Sequence, residues 1–329
     1  MTKTFRALLF EQIDDQVQMN LQQLTIDDLP EEEVTIQVAY SSVNYKDGLG
    51  TIPNRTIRHY PMIPGIDLAG TVLESRDARF SKGDEVIVTS YELGISHPGG
   101  FSEIARVPAK WVVPLPKGLT LKESMIIGTA GFTAALSVQR LEESGLTPKS
   151  GPVLVTGATG GVGSIAVDIL STRGYEVIAS TGKEHEHDYL RQLGASQIIN
   201  RKDLQAPDKK PMRKQLWAGV VDPVGGSTLE YALTTTQYGG SVAVSGLTGG
   251  GDVHTTVYPF ILRGVNLLGI DSVYCPMEIR EKLWNRLASD LRPGKLHESI
   301  VQEITLEEIP ETLHKILRGE IRGRTIVKL

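Results

Sequence analysis

A single cysteine, Cys275, stands in 329 residues. No intrachain disulfide can form, and a zinc site built on several thiolates is excluded. A basic excess is also missing. Lys plus Arg number 34 against 39 for Asp plus Glu, a formal net charge of −5, and a general nucleic-acid binder would need a basic stripe. The uncharged stretch from Ser150 to Val167 is rich in glycine, Ser and Thr, too polar to span a membrane. Lys3 and Arg6 are followed at once by Glu11, Asp14 and Asp15 rather than an apolar core, so no secretory signal is expected and the protein reads as soluble and cytoplasmic. Glycine, by contrast, is abundant: 34 residues, above the usual share of roughly 7%. Hydrophobic residues at 40% and charged residues at 22% describe a globular chain, long enough for two domains.

Residues up to about 120 read mostly as strands. Val34 to Tyr40 alternates apolar with polar, and Gly70–Leu73 and Glu85–Thr89 look alike. Turn signals at Pro64-Gly65, Lys82-Gly83-Asp84 and His97-Pro98-Gly99-Gly100 separate them, as in an antiparallel barrel-like unit. Thr120 followed by Glu123 opens a helix to Leu141 as a capping box. Beyond Ser150 the pattern alternates. Strands are expected at Val153–Thr156, Glu176–Ser180, Ile198–Ile199, Gly219–Asp222, Ser241–Val244 and Val265–Ile270, with helices at Val162–Arg173 and His187–Leu193. Such a series predicts a doubly wound parallel sheet, a Rossmann α/β fold. Two helices, Met277–Leu291 and Leu306–Leu317, and a strand Arg324–Leu329 complete the chain and are expected to return to the first domain.

The segment Val153 to Ser164 carries Gly157, Gly160, Gly161 and Gly163 between a predicted strand and a predicted helix. That is the context of a dinucleotide fingerprint, although the spacing departs from G-x-G-x-x-G. Bare backbone N–H groups and a helix N-terminus favour a pyrophosphate. An NAD site usually places Asp or Glu at the end of the next strand. Here that strand ends Ser180-Thr181-Gly182-Lys183, Glu176 lies at its wrong end, and Arg201 follows the third strand. Two cations without a carboxylate suit a 2′-phosphate, so NADPH is the expected cofactor.

No metal site is expected. Where a zinc alcohol dehydrogenase carries Gly-His-Glu, this chain reads Gly65-Ile66-Asp67, and neither His59 nor His97 has a cysteine nearby. Without a metal, Asn44-Tyr45-Lys46-Asp47 is the best cluster for positioning a carbonyl, although a polar loop anchored by Tyr45 reads equally well from composition. Arg55, Arg58 and His59 form a small basic group beyond it, either a phosphate contact or a solvated loop.

Taken in order, Asn44–Asp47, Pro64-Gly65-Ile66-Asp67-x-x-Gly70, Gly128-Thr129-Ala130-Gly131-Phe132-Thr133-Ala134 and Gly157–Gly163 resemble the zinc-free medium-chain dehydrogenases/reductases. More narrowly, they resemble the bacterial acrylyl-CoA reductase and quinone oxidoreductase subfamily. Trp217-Ala218-Gly219, Pro259–Arg263, Gly269–Ser272 and Gly323–Lys328 fit it too. The resemblance implies a GroES-like catalytic domain, residues 1–122 and 275–329, around a Rossmann domain, residues 123–274. It implies NADPH-dependent reduction of an alkene conjugated to a carbonyl, acrylyl-CoA leading, and a homodimer paired through Val265–Ile270. Carried over, Tyr45, Asn44 and Asp47 would be catalytic, with Tyr45 beside the nicotinamide. Thr159, Gly160, Gly161 and Val162 would hold the pyrophosphate. Thr181, Gly182, Lys183 and Arg201 would hold the 2′-phosphate, and Leu247, Ile261 and Ser272 would line the nicotinamide half. Thr129 and Thr133, one helical turn apart, would face the cofactor. The competing expectations are an NADPH quinone reductase and a non-catalytic NADPH-binding redox sensor.

Overall fold

A computed structural model describes residues 4–205, 210–297 and 301–329. Along the chain run β1 (Thr4–Ile13), β2 (Gln16–Thr25), β3 (Val34–Val43), α1 (Tyr45–Leu49), β4 (Asp67–Ser75), β5 (Glu85–Thr89), β6 (Ile104–Val107) and β7 (Val113–Pro114). Then come α2 (Leu121–Glu143), β8 (Val153–Val155), α3 (Gly161–Thr172), β9 (Val177–Thr181), α4 (His187–Gln192), β10 (Gln197–Asn200), β11 (Trp217–Asp222), α5 (Gly226–Thr235), β12 (Thr236–Val244), α6 (Tyr258–Arg263) and β13 (Asn266–Gly269). The chain closes with α7 (Met277–Leu287), β14 (Val301–Ile304), α8 (Ile309–Leu317) and β15 (Arg324–Lys328). It divides into two compact units, Met1–Thr129 with Val273–Ala288 and Ile300–Leu329, and Ala130–Ser272 with Ser289–Ser299.

The first unit is β-rich. One sheet runs β14-β15-β3-β4-β5-β7, with β6 also on β3, and β1 and β2 form a separate antiparallel hairpin. Alternation drives this unit. In β3, Val34, Ile36 and Val38 turn into a core with Leu68, Val72, Val86, Val88 and Trp111. A second cluster gathers Phe10, Val43, Ile57, Phe101, Leu313 and Val327, so the C-terminal helix and strand are part of this unit's core. β15 pairs antiparallel with β3 (Ile326 opposite Ser42), and β4 lies on the other side of β3 (Leu68 opposite Ser41). The ends of three strands remote in sequence are thereby brought side by side.

The second unit is a six-stranded parallel sheet, β10-β9-β8-β11-β12-β13, the doubly wound order with its switch point beside β8. β8 and β11 are buried along their whole length, which is why they read as apolar runs rather than alternating ones. α2 carries the chain from one unit to the other. It is expected as one helix but kinks at Gly128, whose φ of 51° and ψ of −161° are not helical. No helix among the described residues is long and apolar enough to cross a membrane.

Candidate active site and nucleotide cradle

The strand ends of the first unit hold a buried polar network. Asp67, the first residue of β4, is fully buried. Its carboxylate accepts hydrogen bonds from Ser42 Oγ (2.6 Å), Asn44 Nδ2 (2.8 Å), Thr129 N (2.9 Å) and Thr129 Oγ1 (2.5 Å). Arg324, the first residue of β15 and also buried, lies 4.0 Å from it. Its guanidinium donates to Ser42 Oγ (2.8 Å), Asn44 Oδ1 (3.2 Å), Val43 O (3.3 Å) and Ile126 O (2.9 Å). Burial lowers the Arg324 pKa, while Asp67 and Asp47 act to raise it. A buried charge is tolerable only with this degree of pairing and hydrogen bonding. Gly128 explains the helix kink. A Cβ there would meet Arg324 Nη2, Asp67 Oδ2 and Ser42 Oγ, each at 2.7 Å, so only a glycine lets the backbone pass.

Asn44 caps α1 as the residue before it, but its side chain is turned into the network. Asp47 closes the opposite side of the turn, accepting from Asn44 N (2.8 Å) and Ile66 N (3.0 Å). Burial first, and the neighbouring Asp67 second, raise Asp47 from 3.8 to about 7. Both residues predicted to be catalytic beside Tyr45 are thus buried and engaged within the protein. Tyr45 differs: it opens α1 and stays 37% exposed. Asn44 and Asp47 are hydrogen-bonded within and around the turn that carries Tyr45.

In the second unit the glycine turn joins β8 to α3. Gly157 takes φ +54°, and a Cβ on Gly163 would sit 2.4 Å from Gly157 O, so helix and turn pack closely only because both are bare. A Cβ on Gly160 would meet only Gly157 O at 3.4 Å, which leaves the turn's outer side open. The first N–H groups of α3 have no acceptor within the helix. Thr159 Oγ1 lies 3.5 Å from Thr181 Oγ1, and Lys183 N donates to Thr181 Oγ1 at 3.0 Å. Register supplies the next contact. Asn200 of β10 stands opposite Thr181 of β9, so Arg201 falls beside Gly182. A Cβ on Gly182 would lie 2.5 Å from Arg201 Nε. The bare residue lets a guanidinium lie across the strand end where an NAD site would place a carboxylate. An open, donor-rich turn with a cation at the neighbouring strand end fits a phosphorylated dinucleotide.

Among the other predicted residues, Thr133 Oγ1 donates to Ser272 Oγ at 2.8 Å, so these two are brought together and buried. Thr129 instead turns both its N–H and its hydroxyl toward Asp67. Leu247 and Ile261 stand on the surface. Sequence reasoning assigns no role to Ser42, Asp67 or Arg324. The available signal was a charged residue ahead of an apolar stretch in each of two strands.

Comparison with known proteins places this architecture. Residues 30–117 match the alcohol dehydrogenase GroES-like domain and residues 161–289 the family described as zinc-binding dehydrogenase. Bacillus subtilis YhfP, which carries the provisional name of a quinone oxidoreductase, is 58% identical, and the match covers all of both chains. Its crystal structure with NAD bound superposes with a TM-score of 0.97. Acrylyl-CoA reductase AcuI of Ruegeria pomeroyi is 49% identical over 98% of each chain. The YhdH oxidoreductase of Salmonella enterica, solved in complex with NADP, is 47% identical over 98% of this chain and 99% of that one, with a TM-score of 0.96. The chain belongs to the medium-chain dehydrogenases/reductases.

Among the described residues of this dehydrogenase/reductase, no group of three or more His, Cys, Asp or Glu is placed to hold a metal ion. Asp67 is enclosed by Ser42, Asn44, Thr129 and Arg324. Cys275 is buried.

Proposed function

We propose that this dehydrogenase/reductase uses NADPH to reduce an alkene conjugated to a thioester carbonyl, acrylyl-CoA to propanoyl-CoA being the leading case. The observation that carries the cofactor choice is Arg201 lying across Gly182, with Lys183 beside it. Lys and Arg there suit a 2′-phosphate. The NADP-bound Salmonella relative is in keeping with this, whereas the NAD-bound Bacillus relative makes NADH the rival to be tested. The substrate choice draws on the identity to AcuI over nearly the whole chain.

A nicotinamide nucleotide supplies a hydride when bound. The glycine turn and the start of α3 would hold its pyrophosphate, and Lys183 and Arg201 would hold its 2′-phosphate. As hydride adds to the β-carbon, negative charge gathers on the thioester oxygen. The Tyr45 hydroxyl donates a hydrogen bond to that oxygen, and a donor preset for a developing charge lowers the barrier. The α-carbon then takes a proton from Tyr45 or from water, giving the saturated thioester. The Asn44–Asp47–Asp67–Arg324 network keeps the Tyr45 turn rigid.

The test is to mix protein with NADPH and acrylyl-CoA and to follow the absorbance of the reduced nicotinamide. Consumption above a protein-free control is expected. Its absence, together with turnover of a simple quinone, selects the quinone reductase. NADPH binding without turnover of any acceptor selects a redox sensor. We infer in addition that β13, an edge strand with Leu267 41% exposed, pairs with a second copy, which light scattering at several concentrations checks.

A further inference from the structure

The basic group that follows α1 is built into the same local structure as Tyr45. Ile57 is buried in the core of the first unit. A Cβ on Gly50, the residue capping the end of α1, would come 3.4 Å from Ile57 Cδ1, so the loop folds back onto the helix that carries Tyr45. The loop is tied down further by Arg55 N donating to Ile52 O (3.2 Å) and by Arg58 N donating to Ile95 O (3.0 Å). On this fixed backbone Arg55, Arg58 and His59 are exposed. The neighbouring acid is Glu92, whose carboxylate is taken up by the hydroxyls of Ser96 and Tyr274. Those two hydrogen bonds, and then the charges of Lys46 and Arg58, hold Glu92 below the usual carboxylate range. Lys46, the residue after Tyr45, and Arg58 therefore both act on one carboxylate. Arg55 stands three residues before Arg58 on the same loop, on a chain whose net charge is −5. Exposed guanidiniums on an anchored backbone are suited to phosphate, which they bind in a forked geometry.

We propose that Arg55 and Arg58 bind the phosphates at the distal end of a coenzyme A thioester whose acyl end reacts at Tyr45. This assignment rests on the thioester reading above and makes the α1 loop a specificity element for coenzyme A rather than for the alkene.

The experiment compares acrylyl-CoA with acrylyl-N-acetylcysteamine, which has the same reacting group and no phosphates, on wild type and on Arg55→Gln/Arg58→Gln. The ratio of kcat/KM for the two thioesters is expected to fall by roughly 10- to 100-fold in the variant, through KM of acrylyl-CoA, in line with the loss of charge-assisted hydrogen bonds. Arg55→Lys/Arg58→Lys is expected to recover part of the ratio. An unchanged ratio overturns the assignment and leaves alkene reduction standing. If wild type turns over neither thioester, the functional reading fails by itself. The arginines are then judged by calorimetry with propanoyl-CoA: weaker binding to the glutamine variant supports them, and equal binding or no binding to either protein overturns them.

Discussion

Asp67 and Arg324 open two strands that flank β3 from opposite sides, and they meet 4.0 Å apart over the shared hydroxyl of Ser42. Neither reaches solvent. The energetics of such a pair are asymmetric. The intact pair offsets its desolvation, whereas removing one partner leaves an uncompensated charge in the core, at about 3–5 kcal/mol. Asp67→Asn and Arg324→Met are each expected to destabilise the protein on that scale in urea unfolding. The double substitution should cost less than the two singles added. Strict additivity would show that the two charges do not interact.

Asp47 makes stability depend on pH with a definite sign. Its carboxyl rises from 3.8 to about 7 in the folded protein. Between those values the native state holds a proton that the unfolded chain has released. Stability therefore falls as pH rises through this window, by at most about 1.4 kcal/mol per pH unit. Asp47→Asn is expected to flatten that slope, read from urea midpoints at a series of pH values. It should also weaken the α1 turn, since Asn44 N and Ile66 N donate to different Asp47 oxygens and an amide offers one oxygen and an NH2 donor. A slope equal to wild type would place the titration elsewhere.

Tyr45 is the exposed hydroxyl on that turn. If it stabilises charge on the substrate oxygen, Tyr45→Phe should lower kcat by about 100-fold, the scale of a lost oxyanion donor. NADPH affinity, measured by fluorescence titration, should move little, because the loss falls on a transition-state contact. A drop in NADPH affinity with kcat retained would reassign Tyr45 to nucleotide binding.

The parallel sheet is legible in the sequence because strands buried on both faces must be largely apolar, and Val153–Val155 and Gly219–Val221 are short runs of that kind. The β1–β2 hairpin is not. Its second strand, QVQMNLQQLT, alternates over Gln16–Leu21, but none of its positions is buried, so the alternation marks no core face. The five-residue α1 is too short for a helical period, so Asn44–Asp47 reads as a polar loop. The site divides along the same line. The glycine turn is contiguous, and its chemistry is local. The Asp67 network is assembled by the register of β4, β3 and β15, and pairing between distant strands is not written at any one position. The kink at Gly128 belongs to the same class, since its cause is a trio of polar atoms from three strands.

The clearest test of cofactor choice is steric. Gly182 is bare, and Arg201 occupies the space a side chain would take, its Nε 2.5 Å from where a Cβ would stand. Gly182→Ala should push the guanidinium away while leaving the charge in the protein, and Arg201→Ala should remove it. Both are expected to raise KM for NADPH by about 10-fold, the scale of a charge-assisted phosphate contact. Neither should alter KM for NADH to a similar extent, since NADH has no 2′-phosphate for Arg201 to meet. Steady-state kinetics with the two cofactors measures the ratio directly. If the two variants weaken NADPH and NADH equally, Arg201 supports the fold of the β9–β10 strand ends and does not read the phosphate.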